Sequence, residues 1–246
     1  MSQEIIPDRQ WLLLRQQTPA RIGLGRVGAS LPTQRHLDLQ LAHAQARDAV
    51  EAALDADGIA QALAAMGHAV LRLHSLAPDR ATYLRRPDLG RRLDPGGLDA
   101  LPTGPHDLAF VVADGLSAAA VNSQAAAVVA ATLAALPDAG RVAPVCLVQQ
   151  GRVAVGDEVA AALGAAAVVV LIGERPGLSA ADSMGAYVTW APAPGTLDSA
   201  RNCVSNIRPG GLGVAEAGGT IAAILSAARR HRMTGVGLSE RLALPG

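Results

Sequence analysis

Residues 156–173, GDEVAAALGAAAVVVLIG, set a helix and a strand back to back. GDEVAAALG is a helical segment closed by Gly164, and AAAVVVLIG (165–173) is an unbroken apolar run of strand length. A continuous run of this kind suits a strand covered on both faces, the usual condition in a parallel sheet. It passes directly into Glu174 and Arg175, so it reads as a buried strand and not as a membrane span. Upstream, HAVLRLHS (68–75), DLAFVVADG (107–115) and VAPVCLVQQG (142–151) repeat the strand pattern, the second ending in an Asp-Gly turn. Between the last two, residues 117–136 return Val121, Ala125, Val128, Thr132 and Leu136 at helical spacing. Downstream, AYVTWAP (186–192) and NCVSNI (202–207) are shorter strands, and residues 215–232 place Ile221, Ile224, Leu225 and Ala228 on one helix face. That helix ends in ARRHR, where cations oppose the negative end of the helix dipole. Strands alternating with helices predict an α/β fold with an open, mostly parallel, Rossmann-like sheet flanked by helices.

Ahead of the sheet the pattern is helical. Pro32-Thr33 opens QRHLDLQLAHAQARDAVEAALD (34–55), with Thr33 as the expected N-cap and Asp57-Gly58 as the expected stop. Leu39, Ala42, Ala46, Ala49, Val50 and Ala53 share one face, while Gln40, Arg47, Asp48 and Glu51 lie round the other. GIAQALAAMG (58–67) continues as a shorter helix ending on Gly67. The charged, proline-punctuated APDRATYLRRPDLGRRLDPGG (77–97) predicts a long excursion with one short helix. The chain therefore divides into an N-terminal arm (1–19), a small helical domain (20–66) and a Rossmann-like α/β domain (67–246).

Composition narrows the chemistry. Half of the 246 residues are hydrophobic but only 2% are aromatic, so the core is filled by alanine, valine and leucine. Lys+Arg and Asp+Glu both number 21, which leaves no basic excess for nucleic acid, and no segment is convincing as a membrane span. All 21 cations are arginine, which rules out a Schiff-base lysine and a P-loop lysine in this chain. Cys146 and Cys203 are far apart, the six histidines form no cluster, and no metal site is expected. Cysteine usage of this kind fits a reduced, cytoplasmic setting.

GLGRVGASLPT (23–33) carries Gly23, Gly25 and Gly28 at dinucleotide-fingerprint spacing. A working fingerprint needs a strand feeding the first glycine and a helix opening on the last. RQQTPARI is a poor buried strand, and Ala29-Ser30-Leu31-Pro32 delays the helix. The glycines therefore read as a tight turn, with a stand-alone nucleotide-binding oxidoreductase kept as the alternative. Ligands of open α/β sheets bind beyond the carboxyl ends of the strands. Three loops meet that description: Asp114 and Ser117 in ADGLS, Glu174, Arg175, Ser179 and Asp182 in GERPGLSAADS, and Asn202, Cys203, Ser205, Asn206 and Arg208 in NCVSNIRPGG. The tyrosine and arginines of ATYLRRPDLGRRLD (81–94) suit anchoring to an anion or a partner protein. No nucleophile–base pair emerges: Gly115-Leu116-Ser117 lacks the flanks of a nucleophile elbow.

RIGLGRVGASLPT, DRATYLRRPDLGRRLD, DLAFVVADGLSA, IGERPGLSAADSMGAYVTWAP and RNCVSNIRPGGL, taken in that order, closely resemble the small subunit of ethanolamine ammonia-lyase over about residues 18–240. The resemblance implies a subunit of an adenosylcobalamin-dependent enzyme that converts ethanolamine to acetaldehyde and ammonia by radical chemistry. It implies a large-subunit partner that holds the substrate, in a hetero-oligomer commonly of six copies of each chain. By similarity, Val153, Glu174 and Cys203 match cobalamin-contacting positions of the family. None of the histidines has an aspartate two places before it, so the D-x-H-x-x-G motif is absent and the cofactor's own dimethylbenzimidazole is expected to stay on cobalt. Some relatives carry a longer N-terminal extension, linked to packaging in a bacterial microcompartment, where this chain has a short arm. A non-catalytic scaffold subunit is the remaining alternative.

Overall fold

The buried strands assemble into one open sheet of six strands, in a computed structural model that describes residues 4–5 and 9–243. At the N-terminus, β1 (Glu4–Ile5), α1 (Arg9–Arg15) and β2 (Arg26–Val27) form a small unit in which β1 and β2 pair antiparallel. Two helices follow, α2 (Thr33–Glu51) and α3 (Ala56–Ala65). The sheet begins with β3 (Val70–His74), and the excursion after it holds α4 (Arg80–Arg85), α5 (Pro87–Gly90) and α6 (Pro95–Asp99). Then come β4 (His106–Ala113), α7 (Ala118–Ala135), β5 (Val145–Gln149), α8 (Val155–Leu163) and β6 (Ala165–Gly173). β7 (Met184–Trp190), β8 (Arg201–Ile207), α9 (Val214–His231) and α10 (Val236–Ala243) complete the chain.

Strand order is β3-β5-β4-β6-β7-β8, with β3, β5, β4 and β6 mutually parallel as the helix–strand alternation predicts. β7 and β8 pair antiparallel, so the sheet is mixed. The reason lies in the connections: a parallel return needs a crossover of a dozen or more residues, usually a helix. Residues 174–183 and 191–197 contain no helix, so the chain turns back beside the strand it has just left.

Alternation along the strands divides the core into two layers. Leu108, Phe110 and Val112 of β4 face one side with Val169 and Leu171 of β6, against α3, α7 and α9. Ala109, Val111 and Ala113 face the other side with Val168 and Val170, against α8. This period of two is what a strand buried on both faces produces. The helix α7 is long and apolar enough by composition to cross a membrane, and here it buries Val121, Ala125, Val128 and Thr132 in the first of these layers. Small side chains let it approach the sheet and α9 closely.

Local differences from the sequence reading have clear causes. Thr33 is the first residue of α2 rather than its cap; Pro32 occupies the cap position with no side-chain bond. Asp57-Gly58 does not stop α2, which ends at Glu51; both residues lie in the first turn of α3, where the Asp55 carboxylate accepts the Gly58 N–H at 2.9 Å. The Asp-x-x-Gly pattern is a helix start that resembles a helix stop. In the excursion, Asp79 and Asp94 each cap a short helix and Pro87 opens another between them, giving three where one is expected. Gly23, Gly25 and Gly28 all adopt positive φ (54°, 76° and 59°), the property that bends this segment, and no helix opens on them. The fingerprint spacing thus marks a turn that folds against Trp11.

Candidate functional site

The connections β3 to β4 and β5 to β6 each skip a strand in one direction, while β4 to β5 steps back between them. At such a reversal, loops on neighbouring strands diverge and leave a crevice beyond the carboxyl ends. A cavity of about 220 Å³ lies there. Every parallel strand contributes to it: Tyr83 follows β3, Leu116 follows β4, Arg152 and Val153 follow β5, and Glu174 and Arg175 follow β6. Tyr187 of β7 adds a further wall.

Close backbone approach builds the floor. Gly115 has φ +58° and Gly173 follows at contact distance; a Cβ on Gly173 would stand 2.2 Å from the Ser117 carbonyl oxygen. Only glycine fits there, because side-chain bulk would prise apart the loops after β4 and β6. Asp114 is buried beneath them, and its carboxylate accepts N–H groups from Gly115 (2.9 Å), Gln150 (2.8 Å) and Gly151 (3.1 Å). Burial raises its pKa, opposed by those amides and by Arg80. Its oxygens are thus engaged in tying β4 to β5, and Asp114 is a structural brace. Ser117 has a similar use, donating to the Ala181 carbonyl at 2.8 Å and so holding the loop after β6.

Glu174 is half-buried and accepts from the Ser183 hydroxyl at 2.5 Å and from the Asn206 backbone N–H at 3.3 Å. Asn206 can reach it because the β7–β8 register shifts between Met184 and Ala186, and Asn206 sits at φ +58°. A bulge of this type re-aims the backbone at the end of an edge strand. Cys203 lies three residues earlier and is the cross-strand partner of Tyr187. Over Gly185, Glu174 and the Tyr187 ring both come within van der Waals reach of where a Cβ would stand. Burial first, then the nearby Cys203, pushes the Tyr187 phenol up to about 12. The Cys203 thiol is raised by desolvation, helped by the charge of Glu174, although the residue as a whole is exposed.

Val153 and Glu174 therefore line one cavity with Tyr187, whereas Cys203 is outside its lining, paired across the strands with Tyr187. Other residues singled out from the sequence go elsewhere. Asn202 faces the opposite side of β8, accepting the Gly235 N–H at 2.7 Å. Ser179 and Asp182 line a separate groove against Ala42, Gln45 and Ala49 of α2. Ser205 is exposed, and Arg208 donates to the Asn206 side chain at 2.7 Å. Arg152 and Tyr187 were not marked by any motif. Tyrosine scarcity is the one available signal, since the chain has only two and both line this cavity. Among the described residues no group of three or more His, Cys, Asp or Glu side chains is placed to hold a metal.

A reversal-point crevice with an apolar lip and one anchored carboxylate marks an α/β protein with a candidate ligand cleft. The family profile described as ethanolamine ammonia-lyase light chain (EutC) matches residues 8–239. Ethanolamine ammonia-lyase small subunits from Ralstonia nicotianae (51% identical, covering 98% of this chain and 92% of the relative) and Xanthomonas campestris pv. campestris (51%, 100% and 93%) are similar throughout. So is that of Bradyrhizobium diazoefficiens (50%, 99% and 95%). The chain belongs to the ethanolamine ammonia-lyase light-chain family.

Proposed function

We propose that this chain is the small subunit of an adenosylcobalamin-dependent ethanolamine ammonia-lyase and that its Rossmann-like part, residues 67–246, grips the rim of the cofactor. The observation that carries the reading is the convergence of Val153, Glu174 and Tyr187 on one cavity, with Cys203 beside Tyr187, inside a chain of this family. The donor set fits a corrinoid edge. Val153, Ile172 and Leu116 offer an apolar lip, and Glu174, fixed by Ser183 and Asn206, offers an acceptor to peripheral amide N–H groups. A corrin is far larger than 220 Å³, so this chain covers one edge and leaves the remainder to the large subunit. When bound, adenosylcobalamin supplies the radical that the conversion of ethanolamine to acetaldehyde and ammonia requires. The protein side of such a reaction is orientation and exclusion of water. Glu174 and the Tyr187 wall serve the first; Leu116, Ile172 and Val153 serve the second. The helical part, residues 20–66, buttresses the loop after β6, where Arg21 donates to the Leu178 carbonyl at 2.9 Å. The working enzyme is a hetero-oligomer, with six of each chain as the expected stoichiometry and no turnover by this chain alone.

Co-expression with a large subunit tests the reading. The purified complex is expected to bind adenosylcobalamin and release acetaldehyde from ethanolamine, and Glu174→Ala or Cys203→Ala should weaken cofactor binding. A large subunit fully active without this chain would refute it.

A further inference from the structure

Arg80, from the excursion after β3, and Arg152, from the loop after β5, meet beside the cavity in an unusual state. The guanidinium carbons of Arg80 and Arg152 lie 4.8 and 4.2 Å from the centroid of the Tyr83 ring. Tyr83 itself is fully buried and donates its hydroxyl proton to the Gly151 carbonyl at 3.2 Å. Arg80 donates to the carbonyls of Val50 (2.7 Å) and Gly115 (2.8 Å), and Arg152 to that of Tyr83 (3.1 Å). These acceptors are neutral, and among the described residues neither arginine has a carboxylate in salt-bridge contact. Arg80 Nη2 and Arg152 Nε are buried with no acceptor at all.

That arrangement is costly unless something completes it. A half-buried guanidinium carries a desolvation penalty that carbonyls offset poorly and an anion offsets well. Asp114, buried beneath the loops, spends its oxygens on three backbone N–H groups. Glu174, the carboxylate on the same cavity wall, is engaged with Ser183 and Asn206 and makes no salt bridge to Arg152. Arg152 is the member that lines the cavity, and Arg175 stands exposed at the same rim. Arg152 is held over the Tyr83 ring, its guanidinium carbon 4.2 Å from the centroid and Nη2 on the Tyr83 carbonyl, so its charge is already placed at the cavity wall.

We propose that Arg152, held on Tyr83 and backed by Arg80, is an anion subsite that takes the phosphodiester of the corrinoid's nucleotide tail. The proposal rests on the cobalamin reading above and divides labour within one cavity. The amides around a corrin are neutral and suit Glu174; the phosphodiester is the anionic group of a base-on cobalamin, and it suits a guanidinium with no carboxylate in contact.

The test compares cyanocobalamin with dicyanocobinamide, which lacks the nucleotide and its phosphodiester, in equilibrium binding to the assembled complex followed by absorbance. Arg152→Gln is expected to weaken cyanocobalamin about tenfold or more and to leave cobinamide unchanged. Arg152→Lys, which keeps the charge and loses the fork, should fall between. Inorganic phosphate, at ionic strength matched with chloride, should weaken cyanocobalamin but not cobinamide in the wild-type complex, an arm that survives if the variants do not assemble. Equal effects on both corrinoids, or none on either, overturn the subsite while leaving the corrinoid reading intact. Failure of both corrinoids to bind the wild-type complex would instead remove that reading itself.

Discussion

Replacing Arg201 with methionine removes one half of an ion pair that the sheet has closed over completely. Arg201 and Asp157 side chains are 2% and 1% exposed, and their contact is bidentate, with both N–O distances 2.7 Å. The remaining donors reach the Thr189 hydroxyl (3.1 Å), the Thr196 carbonyl (2.8 Å) and Asp198 (3.4 Å), so every N–H of the guanidinium has an acceptor. Burial by itself would lower the Arg201 pKa, and the bonds to Asp157 and Asp198 outweigh it. Arg201→Met strands the Asp157 carboxylate, for which no other side-chain partner exists among the described residues. Breaking a buried pair in this way costs about 3–5 kcal/mol, a large fraction of a typical stability of about 5–15 kcal/mol. Asp157→Asn is milder, about 1–3 kcal/mol, because Arg201 keeps Thr189, Thr196 and Asp198. The double variant Arg201→Met/Asp157→Leu, with no charge left to strand, should recover most of the loss, giving a coupling energy of about 2 kcal/mol or more. Urea unfolding of the full chain measures all three. Amide exchange gives a local readout, since Arg201 opens the edge strand two residues before Cys203 and its loss should speed exchange through Arg201–Val204. An Arg201→Met cost under about 1 kcal/mol, or a double variant no more stable than the single one, would refute the reasoning.

Three further expectations use the same structure. Gly173→Ala drives a Cβ into the Ser117 and Asp114 carbonyl oxygens and should destabilise by about 1–3 kcal/mol or more, whereas Gly219→Ala, in α9 with open space around it, should stabilise by about 0.5–1 kcal/mol; thermal melts that rank the two alike would contradict the close-approach argument. Burial holds the Tyr83 phenol at about 12 against an ordinary 10, so the folded chain keeps a proton that the unfolded chain loses. Stability is then full below pH 10 and falls by roughly 2–3 kcal/mol as pH rises to about 12. Tyr187 and Cys146, also pushed up to about 12, add to the same decline, so Tyr83→Phe should lessen the fall in urea midpoint without abolishing it; an unchanged slope would count against it. With iodoacetamide, exposed Cys203 should react and buried Cys146, held near 12, should not. Because the Cys203 thiol is raised, its rate should keep climbing through pH 9, and Glu174→Gln should quicken it; a plateau below that pH would be inconsistent with the shift.

The sheet was legible in the sequence because burial on both faces leaves continuous apolar runs, and β4, β5 and β6 are such runs. Their parallel sense was legible too, but the antiparallel sense of β7 and β8 was not. Strand sense is set by what lies between strands, and the decisive sign was the lack of a helical pattern in residues 174–183, present in the sequence but outweighed by the alternation before it. Glu174 was legible as the charge that closes a buried apolar run, whereas its bond to the Asn206 N–H depends on a register shift that no local pattern encodes. Tyr83, Arg80 and Arg152 show the same limit more sharply. The arginine-rich excursion pointed to an anion by composition, yet Arg152 comes from the far side of β5, and only the parallel register of β3 with β5 brings it onto the Tyr83 ring. Local chemistry could be read along the chain. The guanidinium pair with no carboxylate in contact could not, because it is made of residues that meet only after the strands between them have paired.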